Sequence, residues 1–178
     1  EGFDFAGCCL PAKQVGGDFF QYFPLSRHRM AIGMADVTGH AMEAAIPVVM
    51  FSGILRGETR HGNSLEQLFG NLNIEQLFGN LNRTLCESLD SHTFVCFLMG
   101  EFNAYTHTFR FSNSGCPYPF HYRARQGDVV ELQADAYPLG IRPDTVYRAL
   151  EVRLEPGDRI VLCSDGLIEA RSPAGEHF

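Results

Sequence analysis

Apolar and polar residues alternate along the first 37 residues in the pattern of β-strands. The alternation predicts three strands, over residues 3–10, 18–25 and 30–37, because successive side chains of a strand point to opposite faces. The short segment 25–29 joins the last two of these strands as in a hairpin. This part of the chain is therefore expected to form antiparallel sheet.

The period of the pattern then changes to that of an α-helix. Apolar residues return at helical spacing over residues 39–56 and again over about 65–89, which predicts two helices. Pro47 lies inside the first helix and is expected to bend it or to lie in its first turns. Residues 57–64 are polar and predict a loop, in which Ser64 is a candidate N-cap.

The second predicted helix contains a tandem repeat. The sequence EQLFGNLN occupies residues 66–73 and recurs unchanged at 75–82, an offset of nine residues. At about 100° per residue, one straight helix would turn the two copies to opposite faces. We therefore expect a break near residues 70–74, with the second copy continuing through 83–89 as the packed helix.

The rest of the chain is rich in strands. They are predicted over residues 94–102, 107–113, 119–122, 129–132, 147–154 and 159–163. Strands, then two helices, then further strands predict an α+β domain with helices packed on an antiparallel sheet. The other face of that sheet also needs cover, which favours a layered sandwich.

Composition narrows the class of protein. The chain has 178 residues, enough for one buried domain, and its formal net charge of −7 argues against nucleic acid or an anionic membrane as the main partner. The longest nearly apolar stretch, residues 44–55, is shorter than the roughly 20 residues of a membrane span. The six cysteines include no C-x-x-C pair, which favours reduced thiols in a cytoplasmic protein over a zinc site or a disulfide framework.

Three aspartates lie where an apolar run meets a turn. Asp18 opens the second predicted strand, Asp36 ends the third, and Asp165 follows the last, each with glycine nearby. Carboxylates are the ligands that hard divalent cations prefer, and glycine lets backbone and ligand approach closely. Turn capping is the alternative role for each aspartate. If the fold brings them together, the three predict a metal-dependent enzyme.

Six motifs occur along the chain in an order that is similar to a known family. They are VGGDFF at 15–20, ADVTGH at 35–40, SNSG at 112–115, YPLG at 137–140, PGDR at 156–159 and CSDGLIEAR at 163–171. Over essentially its whole length the chain resembles the SpoIIE/RsbU branch of the bacterial PPM-type (metal-dependent) serine/threonine protein phosphatases.

The resemblance implies a layered β-sandwich of two antiparallel sheets flanked by helices, with two Mn²⁺ or Mg²⁺ ions between the sheets. It implies that Asp36 bridges the two metals and that the next backbone carbonyl, of Val37, joins it. Asp18 and Asp165 would complete the cluster directly or through water. The catalytic residues implied are thus Asp18, Asp36 and Asp165. They would hydrolyse phosphoserine or phosphothreonine by a metal-activated water, without a covalent enzyme intermediate.

The resemblance also implies a setting. The substrate would be a regulatory phosphoprotein, an anti-sigma-factor antagonist of the STAS type, in cytoplasmic signal transduction. Residues 1–178 would form a single output domain of a longer signalling protein, without contact to nucleic acid or membrane. By analogy, the repeat at 66–82 lies where dimerisation into a homodimer or activation could act.

The sequence departs from the family pattern in three places. Ala41 stands where the family usually has glycine after His40, and Cys116 stands where many relatives have histidine. The family's last metal aspartate belongs to an Asp-Asp pair beyond the position of Phe178, so the C-terminal part of the domain is expected to be missing. One metal site would then be weak or empty unless neighbouring carboxylates substitute.

A phosphatase-like domain that binds partner proteins without catalysis is the alternative function. The missing ligand and Ala41 favour it, whereas the three retained aspartates oppose it, because a binding module need not hold like charges together without metal. A diguanylate cyclase is excluded although GGDFF at 16–20 resembles its GGDEF motif. That motif requires glutamate where Phe19 stands, and it follows a long α/β stretch.

Overall fold

A computed structural model describes residues 2–10, 17–38, 48–55, 57, 74–89, 92–172 and 174–176. The strands in this part are β1 (Asp18–Ser26), β2 (Arg29–Val37), β3 (Val95–Asn103), β4 (Thr108–Ser114), β5 (Phe120–Arg123), β6 (Asp128–Glu131), β7 (Leu150–Arg153) and β8 (Arg159–Val161). The helices with described bounds are α1 (Ile74–Ser88) and α2 (Asp165–Ile168). Residues 48–55 are also helical.

The strands form two antiparallel sheets. The larger sheet has the order β1-β2-β3-β4-β7, and the smaller has the order β6-β5-β8. The hairpin predicted from the first alternating segments is confirmed, since β1 and β2 pair antiparallel across the turn at 27–28. The predicted α+β class with two antiparallel sheets is likewise confirmed.

The strand predicted over residues 3–10 is wrong. Residues 2–10 have no regular secondary structure. Phe3 and Phe5 instead pack their rings edge-on against Phe102, with centroids 5.4 and 5.2 Å away. Their alternate spacing therefore reflects side-chain packing on the sheet and not backbone pairing.

The helix predictions are confirmed where the structure describes them. Residues 48–55 of the first predicted helix are helical, and so is Gly57, which was expected in a loop. The second copy of the repeat lies in α1, which continues to Ser88. Residues 39–47 and 58–73, with the first copy and most of the predicted break, lie outside the described residues.

The larger sheet carries a core on each face. Phe78 of α1 stacks on Phe97 of β3 with centroids 5.0 Å apart, and Phe51 meets the same ring at 5.1 Å. On the other face a cluster around Phe109 is covered by residues of the smaller sheet, including Ile160. Helices, larger sheet and smaller sheet thus form successive layers.

The register of the larger sheet places three strand ends together. Asp18 of β1 lies directly opposite Asp36 of β2, and Asp36 lies opposite Cys96 of β3.

No helix among the described residues is long and apolar enough to cross a membrane.

Candidate metal centre

The structure brings all three predicted aspartates into one cluster. One carboxylate oxygen from each of Asp18, Asp36 and Asp165 lies within 4.8 Å of the other two. Asp18 and Asp36 are partly buried, whereas Asp165 is exposed. The cluster therefore has a buried side and a side open to solvent.

Each of the three carboxylates is positioned in the cluster by a different local feature. The turn between β1 and β2 sets the register that pairs Asp18 with Asp36. Asp165 reaches the same place from the smaller sheet, as the first residue of α2 after Ser164. Like charges directly opposite one another destabilise a sheet, so a pair of this kind at a strand end indicates a site rather than a structural contact.

The carboxylates line a small cleft that opens to solvent. Its other walls are mainly apolar side chains and thiols, including Met34, Cys96, Cys116 and Pro117. No basic side chain lines the cleft among the described residues.

The clustering perturbs the acidity of Asp36. Burial, and then the neighbouring charges of Asp18 and Asp165, raise the pKa of Asp36 from 3.8 to about 6. Each cause disfavours the ionised carboxylate, and a bound cation would relieve all of them.

Asp18 has an unpaired buried oxygen. Its Oδ1 is shielded from solvent and has no hydrogen-bond partner in the part of the chain that the structure describes. A buried acceptor without a partner costs free energy, and more so when it is charged. A divalent cation at this position would satisfy the oxygen, so the donor set fits a metal.

Gly17 keeps space open beside the cluster. A Cβ at this residue would lie 2.4 Å from the carbonyl oxygen of Val37 and 2.9 Å from Oδ1 of Asp36. A hydrogen bond also joins the two segments, in which the Val37 N–H donates to the Gly17 carbonyl at 3.3 Å. The Val37 carbonyl thus lies beside the carboxylates, where it can complete a set of oxygen ligands.

Two thiols lie beside the cluster, and sequence pattern alone did not place Cys96 there. Cys96 lies opposite Asp36, and its pKa is raised to about 11 by burial and then by the charges of Asp36 and Asp165. Burial, and then the neighbouring acidic groups, also raise the pKa of Cys116 well above its ordinary value. Only the pairing of β2 with β3 could have revealed Cys96, and that pairing joins distant parts of the chain.

Comparison with known proteins supports the fold and the motifs. The family model described as stage II sporulation protein E (SpoIIE) matches residues 26–178. Phosphoserine phosphatase RsbU of Bacillus subtilis is 29% identical over 175 residues, which are 98% of this chain and 49% of that protein. The chain thus spans about half the length of this curated relative.

Solved structures share the architecture. The RsbU and RsbW domains of a Mycobacterium tuberculosis protein match with a TM-score of 0.72 and 23% identity, covering 91% of this chain and 43% of that one. The PP2C phosphatase domain of SpoIIE from Bacillus subtilis, solved with a fragment of its regulatory domain, matches with a TM-score of 0.72 and 19% identity. That match covers 88% of this chain and 43% of that one. The layered fold is therefore common to all three.

Proposed function

This chain belongs to the SpoIIE family, and on that premise we propose that it is a metal-dependent phosphatase domain that hydrolyses phosphoserine or phosphothreonine on a regulatory protein. The observation that carries the proposal is the convergence of Asp18, Asp36 and Asp165, one of whose buried oxygens has no hydrogen-bond partner among the described residues. A group of acids that has no basic side chain beside it among the described residues is suited to divalent cations.

The ligands proposed for Mn²⁺ or Mg²⁺ are the carboxylates of Asp18, Asp36 and Asp165 and the carbonyl of Val37. All are oxygen donors, which these ions prefer over thiols. When bound, divalent cations supply a water of lowered pKa and neutralise charge that develops on the phosphoryl oxygens. Two ions are proposed for the complete domain.

The chain's own residues define how a substrate would meet this centre. Asp165 is the exposed member of the cluster, so a phosphoester would approach from its side. The described walls, such as Met34 and Pro117, offer no basic side chain to the phosphoryl oxygens, so bound cations would hold them.

A cysteine nucleophile is disfavoured in this cleft. Burial raises the pKa of Cys96 to about 11, and burial also raises the pKa of Cys116 well above its ordinary value. Both thiols are therefore protonated near neutral pH, and a protonated thiol is a poor nucleophile. Direct attack by water, without a covalent enzyme intermediate, is the proposed course.

The proposed partner is a STAS-type phosphoprotein in cytoplasmic signalling. The support is that RsbU is named a phosphoserine phosphatase and that one matching structure joins RsbU and RsbW domains in a single chain. Residues 1–178 would act as a single output domain of a longer protein. Homodimer formation through the repeat at 66–82 stays a prediction.

Hydrolysis of a phosphoserine peptide and of an aryl phosphate, with and without millimolar Mn²⁺, tests the proposal. Asp36→Asn is the test variant, and Asp128→Asn is the matched control because Asp128 is exposed and pairs with Arg123. We expect Mn²⁺-dependent turnover in the wild type and the control but not in Asp36→Asn. No turnover on either substrate would contradict the proposal and favour a domain that binds partners without catalysis.

A further inference from the structure

Asn82 of α1 is a polar side chain with no exposed surface. Its Nδ2 donates to the Arg142 carbonyl at 2.7 Å, and its Oδ1 accepts from the Gly140 N–H at 2.9 Å. A buried polar group with both ends satisfied specifies one arrangement of its surroundings. Asn82 therefore fixes residues 138–142, the 138–142 segment, against α1.

The 138–142 segment is held from its other side by β3. Leu139 and Val95 exchange two backbone hydrogen bonds, each 2.9 Å long, and both side chains are fully buried. Gly140 follows with a φ of +92°, a conformation that favours glycine. The segment thus bridges α1 and the beginning of β3.

The segment also supports two walls of the carboxylate cleft. Val95 lies opposite Val37 in the register, next to the pairing of Asp36 with Cys96. On the second wall, Pro138 lies so close to Gly115 that a Cβ there would be 2.7 Å from Pro138 Cγ. Gly115 itself lines the cleft.

A further pair of hydrogen bonds joins the start of β3 to the end of β2. The Thr38 N–H donates to the Phe94 carbonyl at 3.1 Å, and the Phe94 N–H donates to Thr38 Oγ1 at 2.9 Å. The contacts from Asn82 therefore continue through Gly140, Leu139 and Val95 to Val37, which pairs with Val95 in the sheet.

We propose that Asn82 is a positioning residue for the metal centre, which it keeps in shape through the 138–142 segment. The inference rests on the proposed function. Loss of the Asn82 amide leaves the Gly140 N–H and the Arg142 carbonyl without their partner, which releases the segment from α1. The support behind Val37 and Gly115 then loosens, and the oxygen ligands lose their fixed convergence.

Titration of Mn²⁺ by calorimetry into Asn82→Ala and Asn82→Asp separates positioning from simple stability. Asn82→Asp retains an acceptor for Gly140 but sets an oxygen against the Arg142 carbonyl. Groups that support metal ligands typically change affinity by about 10–100-fold, so we expect the Kd for Mn²⁺ to rise at least about tenfold. Turnover at saturating Mn²⁺ should change much less than the Kd.

Leu77→Ala is the matched control. Leu77 lies on the same helix and is equally buried, and its loss destabilises the core without removing a hydrogen bond to the 138–142 segment. We expect the Kd of this variant to stay at the wild-type value despite a lower melting temperature. An equal rise in Kd for Leu77→Ala and Asn82→Ala would overturn the proposal.

A further variant tests the proposal if the Asn82 variants do not fold. Gly140→Ala strains the segment, since φ is +92°, while its Cβ would meet nothing closer than 3.5 Å. This variant should also raise the Kd for Mn²⁺, and wild-type affinity would count against the proposal.

Amide hydrogen exchange without metal gives a readout independent of binding. Asn82→Ala should speed exchange at Leu139 and Val95 more than Leu77→Ala does, and equal rates would contradict the inference. A wild-type protein that binds no Mn²⁺ would overturn the proposed function and this inference together. Wild-type binding with unchanged affinity in the Asn82 and Gly140 variants would overturn this inference alone.

Discussion

Asp158 and Asp36 both lie at strand ends, but their surroundings shift their pKa values in opposite directions. Asp158 precedes β8, and its side chain is only 5% exposed. Its Oδ2 accepts from His121 Nε2 at 2.9 Å and from the Glu155 N–H at 3.0 Å, while Oδ1 accepts from the Ala124 N–H at 2.9 Å. Burial raises the pKa of Asp158, but these hydrogen bonds outweigh it and hold the pKa below its usual value.

The cluster at the end of β2 has the reverse character. Burial and two neighbouring acids raise the pKa of Asp36 to about 6, and Oδ1 of Asp18 is buried without a partner in the described part of the chain. The protein supplies hydrogen-bond donors to Asp158, whose role is structural. The raised pKa of Asp36 and the buried Asp18 oxygen instead favour a bound cation. The direction of the pKa shift and the presence of hydrogen-bond partners therefore distinguish a structural aspartate from a candidate metal ligand better than burial does.

Removal of Asp36 should have the largest effect. Metal ions contribute several kcal/mol to transition-state stabilisation, and about 1.4 kcal/mol corresponds to tenfold in rate. Asp36→Asn should therefore lower Mn²⁺-dependent phosphatase turnover at least about 100-fold. Steady-state kinetics of the folded variants would show this, and Asp158→Asn should retain most of the turnover. Similar losses in both variants would erase the distinction between the two aspartates.

Gly17→Ala should weaken the centre without changing any ligand. The added Cβ would press on the Val37 carbonyl and on Asp36, at 2.4 and 2.9 Å. We expect the Kd for Mn²⁺ in calorimetry to rise by about 10–100-fold, the range seen when support of metal ligands is lost. Gly53→Ala is the control, because a Cβ there meets nothing within 4 Å. Unchanged affinity in Gly17→Ala would show that this contact is relieved at no cost to the centre.

Asp158 should matter for stability instead. Hydrogen bonds to charged groups contribute about 1.5–3 kcal/mol each. Because Asn keeps one oxygen acceptor at this position, we expect Asp158→Asn to lower the free energy of unfolding by about 2 kcal/mol, the value of one such bond. Urea unfolding near neutral pH measures the change. Because the folded pKa of Asp158 is lowered, its contribution is present above the unfolded pKa, and the deficit of the variant should shrink as pH falls below about 4. A deficit that does not depend on pH would argue against an ionised Asp158.

The pH dependence at Asp36 should have the opposite sign and the smallest size. Its folded pKa of about 6 exceeds the ordinary 3.8, so the folded state without metal binds more protons between these values. The contribution of Asp36 to stability is then fully present below about pH 4 and is lost as pH rises through about 6. Urea unfolding without metal should show wild-type stability falling relative to Asp36→Asn over this window. Parallel pH profiles would contradict the raised pKa.

Local sequence pattern was enough to predict the hairpin, α1 and the three aspartates. Period and turn residues determine such elements over a few positions, and the cluster followed from motif order. The prediction for residues 3–10 was wrong because Phe3 and Phe5 alternate for a different reason: both rings pack against the distant Phe102. Local sequence pattern cannot predict a contact between residues so far apart in the chain.

Asn82 shows what pattern alone could not supply. Its partners Gly140 and Arg142 lie 58 and 60 residues away. Its sequence context is also duplicated, because Asn73 occupies the same place in the first copy of the repeat. Only the tertiary structure shows that Asn82 is docked against the 138–142 segment.

Calorimetric titration of Mn²⁺ at neutral pH, where Asp36 is ionised, tests most directly whether Asp18, Asp36 and Asp165 form a metal centre. The wild type, Asp36→Asn and Asp158→Asn would be compared after each is shown to be folded. We predict saturable binding by the wild type and by Asp158→Asn, and none by Asp36→Asn. Equal binding by all three variants, or none by the folded wild type, would contradict the account.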